Sequence, residues 1–349
     1  EIETFLGQSI DSELSGNMID ICPVGALTSK PFRYSARTWE LSRRKSISPH
    51  DSTGANLVVQ VKNNKVMRVV PLENEDVNEC WIADRDRFSY EALNSAERLT
   101  TPMLKQGGVW KSVDWQTALE YVAHGLQGIK SSHGAGAIGA LVSPHSTLEE
   151  LYLAGALVRG LGSENIDYRL RNAEFPGAQE GARYLGMPIA ELSNLERVLV
   201  VGSNLRKDHP LFAQRIRQAT KRGCAVSAIS AAPVAWALPV RNTLLAPSAQ
   251  WVRSLADVAC AIAAEKGVAA PQDGQATALA KDIAQSLLGG ERKAILLGNA
   301  SAHHAQASQI LVLANWIGAH TGASVGYLTE AANTVGAQLA GVLPGSSGL

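Results

Sequence analysis

Residues 198–229 read VLVVGSNLRKDHPLFAQRIRQATKRGCAVSAI. Four apolar residues lead into Gly202, a mixed apolar and basic stretch ends at Gly223, and a second apolar run begins at Ala225. A short continuous apolar run predicts a strand buried on both faces, and the stretch between the two runs has helical spacing. The order strand, helix, strand predicts a parallel sheet that is covered by helices on both sides.

The same alternation extends through most of the chain after Pro102. The spacing predicts helices over Trp115–Lys130, from Thr147, over about Leu211–Arg222, over Trp251–Lys266 and over about Ala305–Trp316, and strands over Ala137–Val142, Val198–Val201, Ala225–Ile229 and Ala294–Leu297. We therefore expect residues 102–349 to form an α/β domain with a mostly parallel sheet.

The region before this domain has a different pattern. Residues 56–70, NLVVQVKNNKVMRVV, alternate apolar and polar side chains on both sides of Asn63-Asn64, which predicts a β-hairpin with a tight turn. The charge-rich residues 73–97 predict a loop and a short helix around residues 87–90. We assign residues 46–101 to a small hairpin-rich domain, and residues 1–45, which look irregular, to the tail of an upstream domain.

Composition excludes several classes of protein. The 349 residues carry 32 Lys and Arg against 32 Asp and Glu, so the balance does not suit a nucleic-acid binder. The hydrophobic content of 46% excludes a disordered chain. Of the charged side chains, 27 lie in residues 1–100, whereas residues 301–349 contain only Glu330. No apolar run approaches the ~20 residues that a membrane span needs.

The chain begins at Glu1 without Met and without a signal-peptide pattern, so we expect a fragment of a longer subunit. Four cysteines without a C-x2-C spacing do not predict a disulfide framework, which favours a reducing, intracellular setting. Cys224 and Cys260 lie in apolar surroundings, and we interpret them as small buried side chains.

Cys22 is followed by proline in the sequence ICPVGAL, residues 21–27. Bacterial ferredoxins place a Cys-Pro after three closely spaced cysteines, and the thiolate of that cysteine ligates an iron-sulfur cluster. The three other cysteines are absent here, so Cys22 alone cannot hold a cluster.

A second candidate site is the loop Gly202, Ser203 and Asn204, which follows a strand and precedes a helix. Backbone N–H groups at such a position can bind phosphate, although no G-x-G-x-x-G or G-K-[ST] motif accompanies them. The adjacent His303 and His304 lack the spacing of a metal site, and the acidic residues 73–79 lack the spacing of a calcium loop.

Two blocks resemble the large iron-sulfur subunit of NADH:quinone oxidoreductase, respiratory complex I, which is called the G subunit in bacteria. The blocks are SGNMIDICPVGALTSKPFRYSARTWEL, residues 15–41, and DSTGANLVVQVKNNKVMRVVPLENEDVNECWIADRDRFSYEAL, residues 51–93. The rest of the chain resembles a molybdopterin-oxidoreductase-like α/β domain. In that family VVGSNLRKDHPLFAQRIRQA corresponds to a loop that helps to hold the guanine-dinucleotide cofactor, with Leu205 here in place of a common proline.

The resemblance implies that Cys22 is the last ligand of a 4Fe-4S cluster whose other cysteines precede Glu1. Some relatives hold an extra 4Fe-4S cluster in the hairpin domain, and the four corresponding positions here are Ser48, Asp51, Ala55 and Ala83. None is a cysteine, so the extra cluster is expected to be absent, and Cys80 is out of register with the fourth position. We expect no molybdopterin, no cofactor on the isolated fragment, and 4Fe-4S and 2Fe-2S clusters in the complete subunit.

The implied function is electron transfer from NADH toward quinone, coupled to proton translocation, with these residues serving mainly as a scaffold that is inactive alone. The implied partners are the other peripheral-arm subunits of complex I, including the NADH-binding flavoprotein subunit, on the cytoplasmic side of the bacterial inner membrane. Nucleic acid and direct membrane insertion are not expected. Two alternatives remain: a molybdenum or tungsten bis-pterin oxidoreductase of the formate dehydrogenase type, and a nucleotide-binding α/β module that uses the Gly202 loop.

Overall fold

The computed structural model describes residue 7, residues 9–175 and 182–345, and residue 348. The strands of these residues are β1 (Ser42–Ile47), β2 (Asn56–Lys62), β3 (Lys65–Pro71), β4 (Met103–Gln106), β5 (Val109–Ser112), β6 (Ala140–Leu141), β7 (Ile166–Asp167), β8 (Arg197–Val201), β9 (Ala225–Ser230), β10 (Asn242–Leu245), β11 (Lys293–Leu297) and β12 (Ser324–Tyr327). The α-helices are α1 (Asn17–Ile21), α2 (Asp84–Phe88), α3 (Trp115–His133), α4 (Leu148–Gly160), α5 (Leu205–Asp208), α6 (Pro210–Lys221), α7 (Trp251–Lys266), α8 (Ala278–Leu288), α9 (Asn299–Ala302), α10 (Ala307–Thr321) and α11 (Thr334–Leu339).

The predicted hairpin is confirmed as the antiparallel pair β2 and β3. Asn63 and Asn64 have φ values of 50° and 58°, the left-handed conformation that a two-residue hairpin turn requires. The strand β1 pairs with the other edge of β2, which corrects the expectation that residues 1–45 are irregular. All six residues of β1 are exposed, and neither face of the strand is apolar. The sequence SRRKSI therefore lacks the alternation of apolar and polar residues that predicts a strand.

The second expectation, a parallel sheet buried on both faces, is also confirmed. Five parallel strands lie in the order β10-β9-β8-β11-β12. Along β8 the side chains of Leu199 and Val201 pack with α7 and α10 on one face, whereas Val198 and Val200 pack with α6 on the other. Chain order reverses between β8 and β11, and in open α/β sheets the crevice at such a reversal is the usual ligand site.

Several boundaries differ from the prediction. The helix predicted over Ala305–Trp316 runs from Ala307 to Thr321 and ends at Gly322 with φ 78°. The strand predicted over Ala137–Val142 is reduced to β6, because its parallel partner β7 has two residues and a 3-10 turn occupies Ala135–Ala137. The helix predicted around residues 87–90 begins earlier, at Asp84, and continues as a 3-10 helix to Asn94.

Side chains from α5 and α6 hold the N-terminal region against the α/β sheet. Arg206 on α5 forms an ion pair with Glu13, with 2.5 Å between Nε and Oε2. Arg215 on α6 is buried and donates to the carbonyl oxygens of Glu75, at 2.6 Å, and Val77, at 3.1 Å. In the part of the chain that the structure describes, no helix has both the length and the hydropathy of a membrane span.

Candidate functional site

Cys22 lies at the carboxyl end of α1, where the chain turns sharply through Pro23 and Gly25. Gly25 has φ 65°, which allows the loop 22–27 to fold back over the sulfur. The backbone N–H groups of Leu27, first, and then of Val24, Ala26 and Gly25 lower the pKa of the thiol by hydrogen bonding to the thiolate. We call residues 22–27 the Cys22 loop; its donor set suits a metal-bound thiolate.

The position of Cys22 is set by contacts between α1 and α2. The Asn17 side chain donates to the Ile82 carbonyl at 2.8 Å and accepts from the Ile82 N–H at 3.1 Å. Asp84 accepts from the N–H of Gly16 at 2.7 Å, and Arg87 forms an ion pair with Asp20. Any side chain on Gly16 would collide with Arg87, since a Cβ there would lie 2.7 Å from its Cδ. The hairpin domain therefore holds the helix that ends at Cys22.

The four positions without cysteine lie in two segments of the hairpin domain that contact each other through Ser48, Asp51, Arg85 and Asp86. Ser48, Asp51 and Ala55 lie in the connection between β1 and β2, Ala83 caps α2, and all four are buried. The N–H of Ser48 donates to the carbonyl of Ala55 at 2.8 Å. We find no thiol at any of these positions.

Charged side chains fill the same place. The Ser48 hydroxyl donates to Asp86 Oδ1 at 2.6 Å, and Asp51 forms an ion pair with Arg85 while accepting from the Thr53 N–H at 2.8 Å. Burial first, and then the charge of Asp51, raise the pKa of Asp86 to about 6. We call Ser48, Asp51, Arg85 and Asp86 the polar network. A metal cluster does not fit here without displacing it.

The remaining cysteines differ from Cys22. Cys80 is exposed, and partial burial with the charges of nearby glutamates raises the pKa of its thiol. Cys224 is buried, which raises the pKa of its thiol to about 11, and the half-buried Cys260 donates to the Gln272 carbonyl at 3.4 Å. Among the residues that the structure describes, no three His, Cys, Asp or Glu side chains are grouped as a metal site.

The loop Gly202, Ser203 and Asn204 lies at the carboxyl end of β8, as predicted, and two of its donors share one side-chain acceptor. The carboxylate of Asp208 accepts from the Ser203 hydroxyl at 2.9 Å and from the Asn204 N–H at 3.0 Å through the same oxygen, Oδ2. The space above Gly202 is also filled, since a Cβ there would lie 2.6 Å from both Ser301 Oγ and a Trp251 ring carbon. A phosphate group at this loop would therefore compete with the Asp208 carboxylate for two donors and would meet Ser301 and Trp251 above Gly202.

Sequence reasoning missed Asp208, Arg85 and Asp86. The position of Asp208, four residues after Asn204, could have suggested a side chain that turns back on the loop. No sequence signal pairs Asp51 with Arg85, because the two residues meet only once β1, β2 and α2 have packed together. The neighbouring histidines point to separate partners: His303 Nε2 lies 3.1 Å from Glu330, and His304 Nε2 lies 3.0 Å from the Ser248 carbonyl.

Comparison with known proteins matches three consecutive segments. Residues 98–349 match the molybdopterin oxidoreductase family, residues 41–91 match the NADH-ubiquinone oxidoreductase NDSU1/NuoG-like 4Fe-4S domain, and residues 1–28 match the ferredoxin-like domain of NADH-quinone oxidoreductase subunit 3. In fold, the chain is similar to acetylene hydratase from Pelobacter acetylenicus, with a TM-score of 0.51 and 12% identity over 87% of this chain and 39% of that chain.

Curated relatives are more similar in sequence. The G subunit of NADH-quinone oxidoreductase from Rickettsia felis is 37% identical over 223 residues, 64% of this chain and 32% of that protein. The NADH-ubiquinone oxidoreductase 75 kDa subunit of Reclinomonas americana is also 37% identical, over 64% of this chain and 34% of that protein. The chain thus spans about a third of the length of these relatives. It belongs to the molybdopterin oxidoreductase family and is a homologue of the G subunit of NADH-quinone oxidoreductase.

Proposed function

We propose that these residues act in the G subunit of a complex I, where they position one 4Fe-4S ligand and serve as a scaffold for electron transfer from NADH toward quinone. The observation that carries this proposal is the Cys22 loop, whose backbone N–H groups lower the pKa of one thiol in a segment that matches a ferredoxin-like domain. The relatives favour this function over a molybdenum or tungsten bis-pterin oxidoreductase.

The chain's own residues would contribute position and hydrogen bonds. Backbone N–H groups that point at a ligating sulfur favour its anionic form, and they tune the potential of the cluster that it binds. Asn17 and Arg87 fix the helix that ends at Cys22, so the sulfur is held at a defined distance from the hairpin domain. When bound, a 4Fe-4S cluster supplies one-electron transfer, and its other ligands would come from outside the described residues.

We further propose that the two other cofactor positions are unused. The polar network occupies the place of the extra cluster, and Asp208 with Ser301 and Trp251 occupies the place of a dinucleotide phosphate. The chain would bind neither a second cluster nor molybdopterin. Stoichiometric molybdenum or tungsten with pterin in the purified subunit would contradict this proposal.

The expected setting follows from the same proposal. The subunit would associate with other subunits of the peripheral arm, including the NADH-binding flavoprotein subunit, on the cytoplasmic side of the bacterial inner membrane. Isolated from them, the 349 residues would have no NADH:quinone oxidoreductase activity. We do not favour the nucleotide-binding alternative, because the Asp208 carboxylate accepts from the Ser203 hydroxyl and the Asn204 N–H of its loop.

The test is substitution of Cys22 in a subunit of the length of the relatives, purified with its clusters. Cys22→Ser should lower the iron content by one 4Fe-4S cluster and remove one signal from the low-temperature EPR spectrum of the reduced protein. Cys80→Ser is the matched control, because that thiol is exposed and lies outside the Cys22 loop. An unchanged iron content and spectrum in Cys22→Ser would refute the assignment.

A further inference from the structure

The strand β1 forms one edge of the sheet of β1, β2 and β3, and its outer side has no neighbouring strand among the described residues. It pairs with β2 without a register shift over its whole length, Ser42–Ile47, and all six residues are exposed. Natural proteins commonly protect an exposed edge with a bulge, a proline, a very short strand or charged side chains. Of these protections β1 has only the charge, in its sequence SRRKSI.

The hydrogen bonds to β2 show which backbone groups of β1 point outward. The N–H of Ser48 donates to the Ala55 carbonyl at 2.8 Å. In an antiparallel pair, residues that exchange hydrogen bonds alternate with residues that do not. The N–H and C=O groups of Arg43, Lys45 and Ile47 therefore point away from β2. Among the described residues only one of these groups has a partner, the Arg43 carbonyl, which accepts from the guanidinium of the next residue at 3.1 Å.

Positive charge predominates along this edge. Residues 28–47 contain six Lys and Arg side chains and one carboxylate, Glu40. Glu40 accepts from the Arg37 N–H at 2.7 Å and forms an ion pair with Lys62 at 3.0 Å, and these two contacts, in that order, lower the pKa of its carboxyl group. The three basic side chains of β1 itself form no ion pair among the described residues. Their charge is therefore not compensated within this part of the chain.

The charges of β1 lie on both faces of the sheet. Successive side chains of a strand point to opposite faces, so Arg43 and Lys45 share one face and Arg44 lies on the other. Burial, first, and the like charge of Arg43 lower the pKa of the Arg68 guanidinium on β3, whereas Asp20 acts in the opposite direction. A second copy of β1 would place basic side chains opposite basic side chains, which destabilises a strand pair. The edge therefore disfavours pairing with itself and favours a negatively charged strand.

We propose that the outer edge of β1 binds an acidic, extended segment of a partner protein, which adds to the three-stranded sheet as a further strand. The backbone of this segment pairs with Arg43, Lys45 and Ile47. Its carboxylates lie opposite the basic side chains of β1, and an apolar side chain lies opposite Ile47, which is 63% exposed. In such strand additions the backbone hydrogen bonds supply affinity and the neighbouring side chains select the partner. The proposal does not depend on the function of the Cys22 loop.

Titration of the 349-residue chain with synthetic peptides tests this surface, and hydrogen exchange of the β1 amides reports strand pairing. The first probe is Val-Thr-Glu-Glu-Glu-Thr with acetylated and amidated ends. Its antiparallel register places Val opposite Ile47 and the three Glu opposite the basic side chains of β1. We expect saturable binding that weakens as salt is added, together with slower exchange of the N–H groups of Arg43, Lys45 and Ile47.

Two matched probes separate strand pairing from attraction between charges. The same peptide, N-methylated at the residues opposite Arg43, Lys45 and Ile47, keeps every charge but loses the N–H donors that face the edge. It should bind about tenfold more weakly or less, because backbone pairing is lost. The peptide with Lys in place of each Glu should not bind, because it brings like charges to the edge.

Lys45→Glu reverses one charge in the middle of the edge and should weaken binding of the acidic peptide about tenfold. Lys111→Glu is the matched control, because Lys111 is exposed on β5 in a different sheet, and its affinity should equal that of the unsubstituted chain. Absence of saturable binding by the acidic peptide, including the case in which a single-stranded oligonucleotide binds instead, would overturn the proposal. Equal affinity for the N-methylated peptide, or unchanged affinity in Lys45→Glu, would do the same.

Discussion

The Cys22 loop and the polar network differ in whether their polar groups have partners within the same chain. In the loop, the backbone N–H groups of residues 24–27 lower the pKa of one half-buried thiol, and the structure gives these N–H groups no oxygen acceptor among the described residues. In the network, the carboxylates of Asp51 and Asp86 are buried beside groups of the same chain, as when Asp51 binds the half-buried Arg85. On the proposed function, the first arrangement leaves a ligand position for a metal, whereas side chains of the same chain occupy the second.

On the function proposed above, the difference illustrates how a family fold can retain the shape of a cofactor position without the cofactor. Removing cysteines leaves a buried, polar pocket, and the cost of burying polar atoms requires other partners for them. Ser48 and Asp51 supply such partners to α2, and Asp208 does the same for the Gly202 loop. Side chains thus replace the contacts that a cofactor would make.

The largest expected effect on stability comes from removing Arg85, the cation of the polar network. Arg85→Ala leaves Asp51 buried, with its side chain 2% exposed and without its counter-ion. It also removes a hydrogen bond to the Asp208 carbonyl, 2.7 Å from Arg85 Nη2, which joins the hairpin domain to the α/β sheet. We expect a loss of about 4 kcal/mol in the free energy of unfolding, measured by urea denaturation.

The control is Arg253→Ala, which removes the exposed member of an ion pair with the partly buried Asp257 on α7. It should cost about 0.5 kcal/mol, as is typical of exposed pairs. Equal losses in the free energy of unfolding of the two variants would mean that the polar network does not stabilise this part of the hairpin domain.

A second prediction concerns the filled space at the Gly202 loop. Gly202 and Gly267 share a φ of 66°, but a Cβ on Gly202 would meet Ser301 and Trp251 at 2.6 Å, whereas a Cβ on Gly267 would meet nothing within 4 Å. Gly267→Ala should cost about 1 kcal/mol for the left-handed backbone alone. Gly202→Ala should cost about 3 kcal/mol, since overpacking adds to the same strain.

Thermal or urea unfolding of both variants measures this difference directly. If Gly202→Ala is no more destabilising than Gly267→Ala, then the space above the loop is open, and the argument against a bound phosphate fails.

The sequence predicted the sheet because its signals are local. The strands β8, β9 and β11 are continuous apolar runs between helices, and the turn at Asn63 is encoded by two residues that tolerate positive φ. The strand β1 could not be predicted, because SRRKSI is exposed on both sides and is held only by pairing with β2. The observed helix ends differ from the predicted ends by a few residues. The end of a helix is set by a cap such as Gly322, whose left-handed backbone stops the helix, and apolar periodicity alone does not locate it.

The candidate site was predictable in part. The heptapeptide around Cys22 identifies one candidate residue from the sequence alone. The sequence also shows directly that there is no cysteine at Ser48, Asp51, Ala55 and Ala83. What replaces the cysteines is not visible, because Arg85 lies 34 residues from Asp51 in the chain and meets it only after folding.

The smallest expected effect is the pH dependence that the polar network contributes through Asp86. Burial raises the pKa of this carboxyl group to about 6 in the folded chain, above the 3.8 of an unperturbed aspartate. The folded state therefore binds more protons than the unfolded state between these values, so the contribution of Asp86 to stability falls as pH rises through them and is lost above pH 6.

In Asp86→Asn this dependence is absent. We expect the free energy of unfolding of Asp86→Asn, relative to the unsubstituted chain, to rise by about 2 kcal/mol from pH 4 to pH 7. Comparison at each pH cancels the titration of carboxylates such as Glu13 and Glu40, whose pKa values are lowered and whose effect has the opposite sign. A difference that does not change with pH would show that water reaches Asp86, and that the polar network is as open as the Cys22 loop.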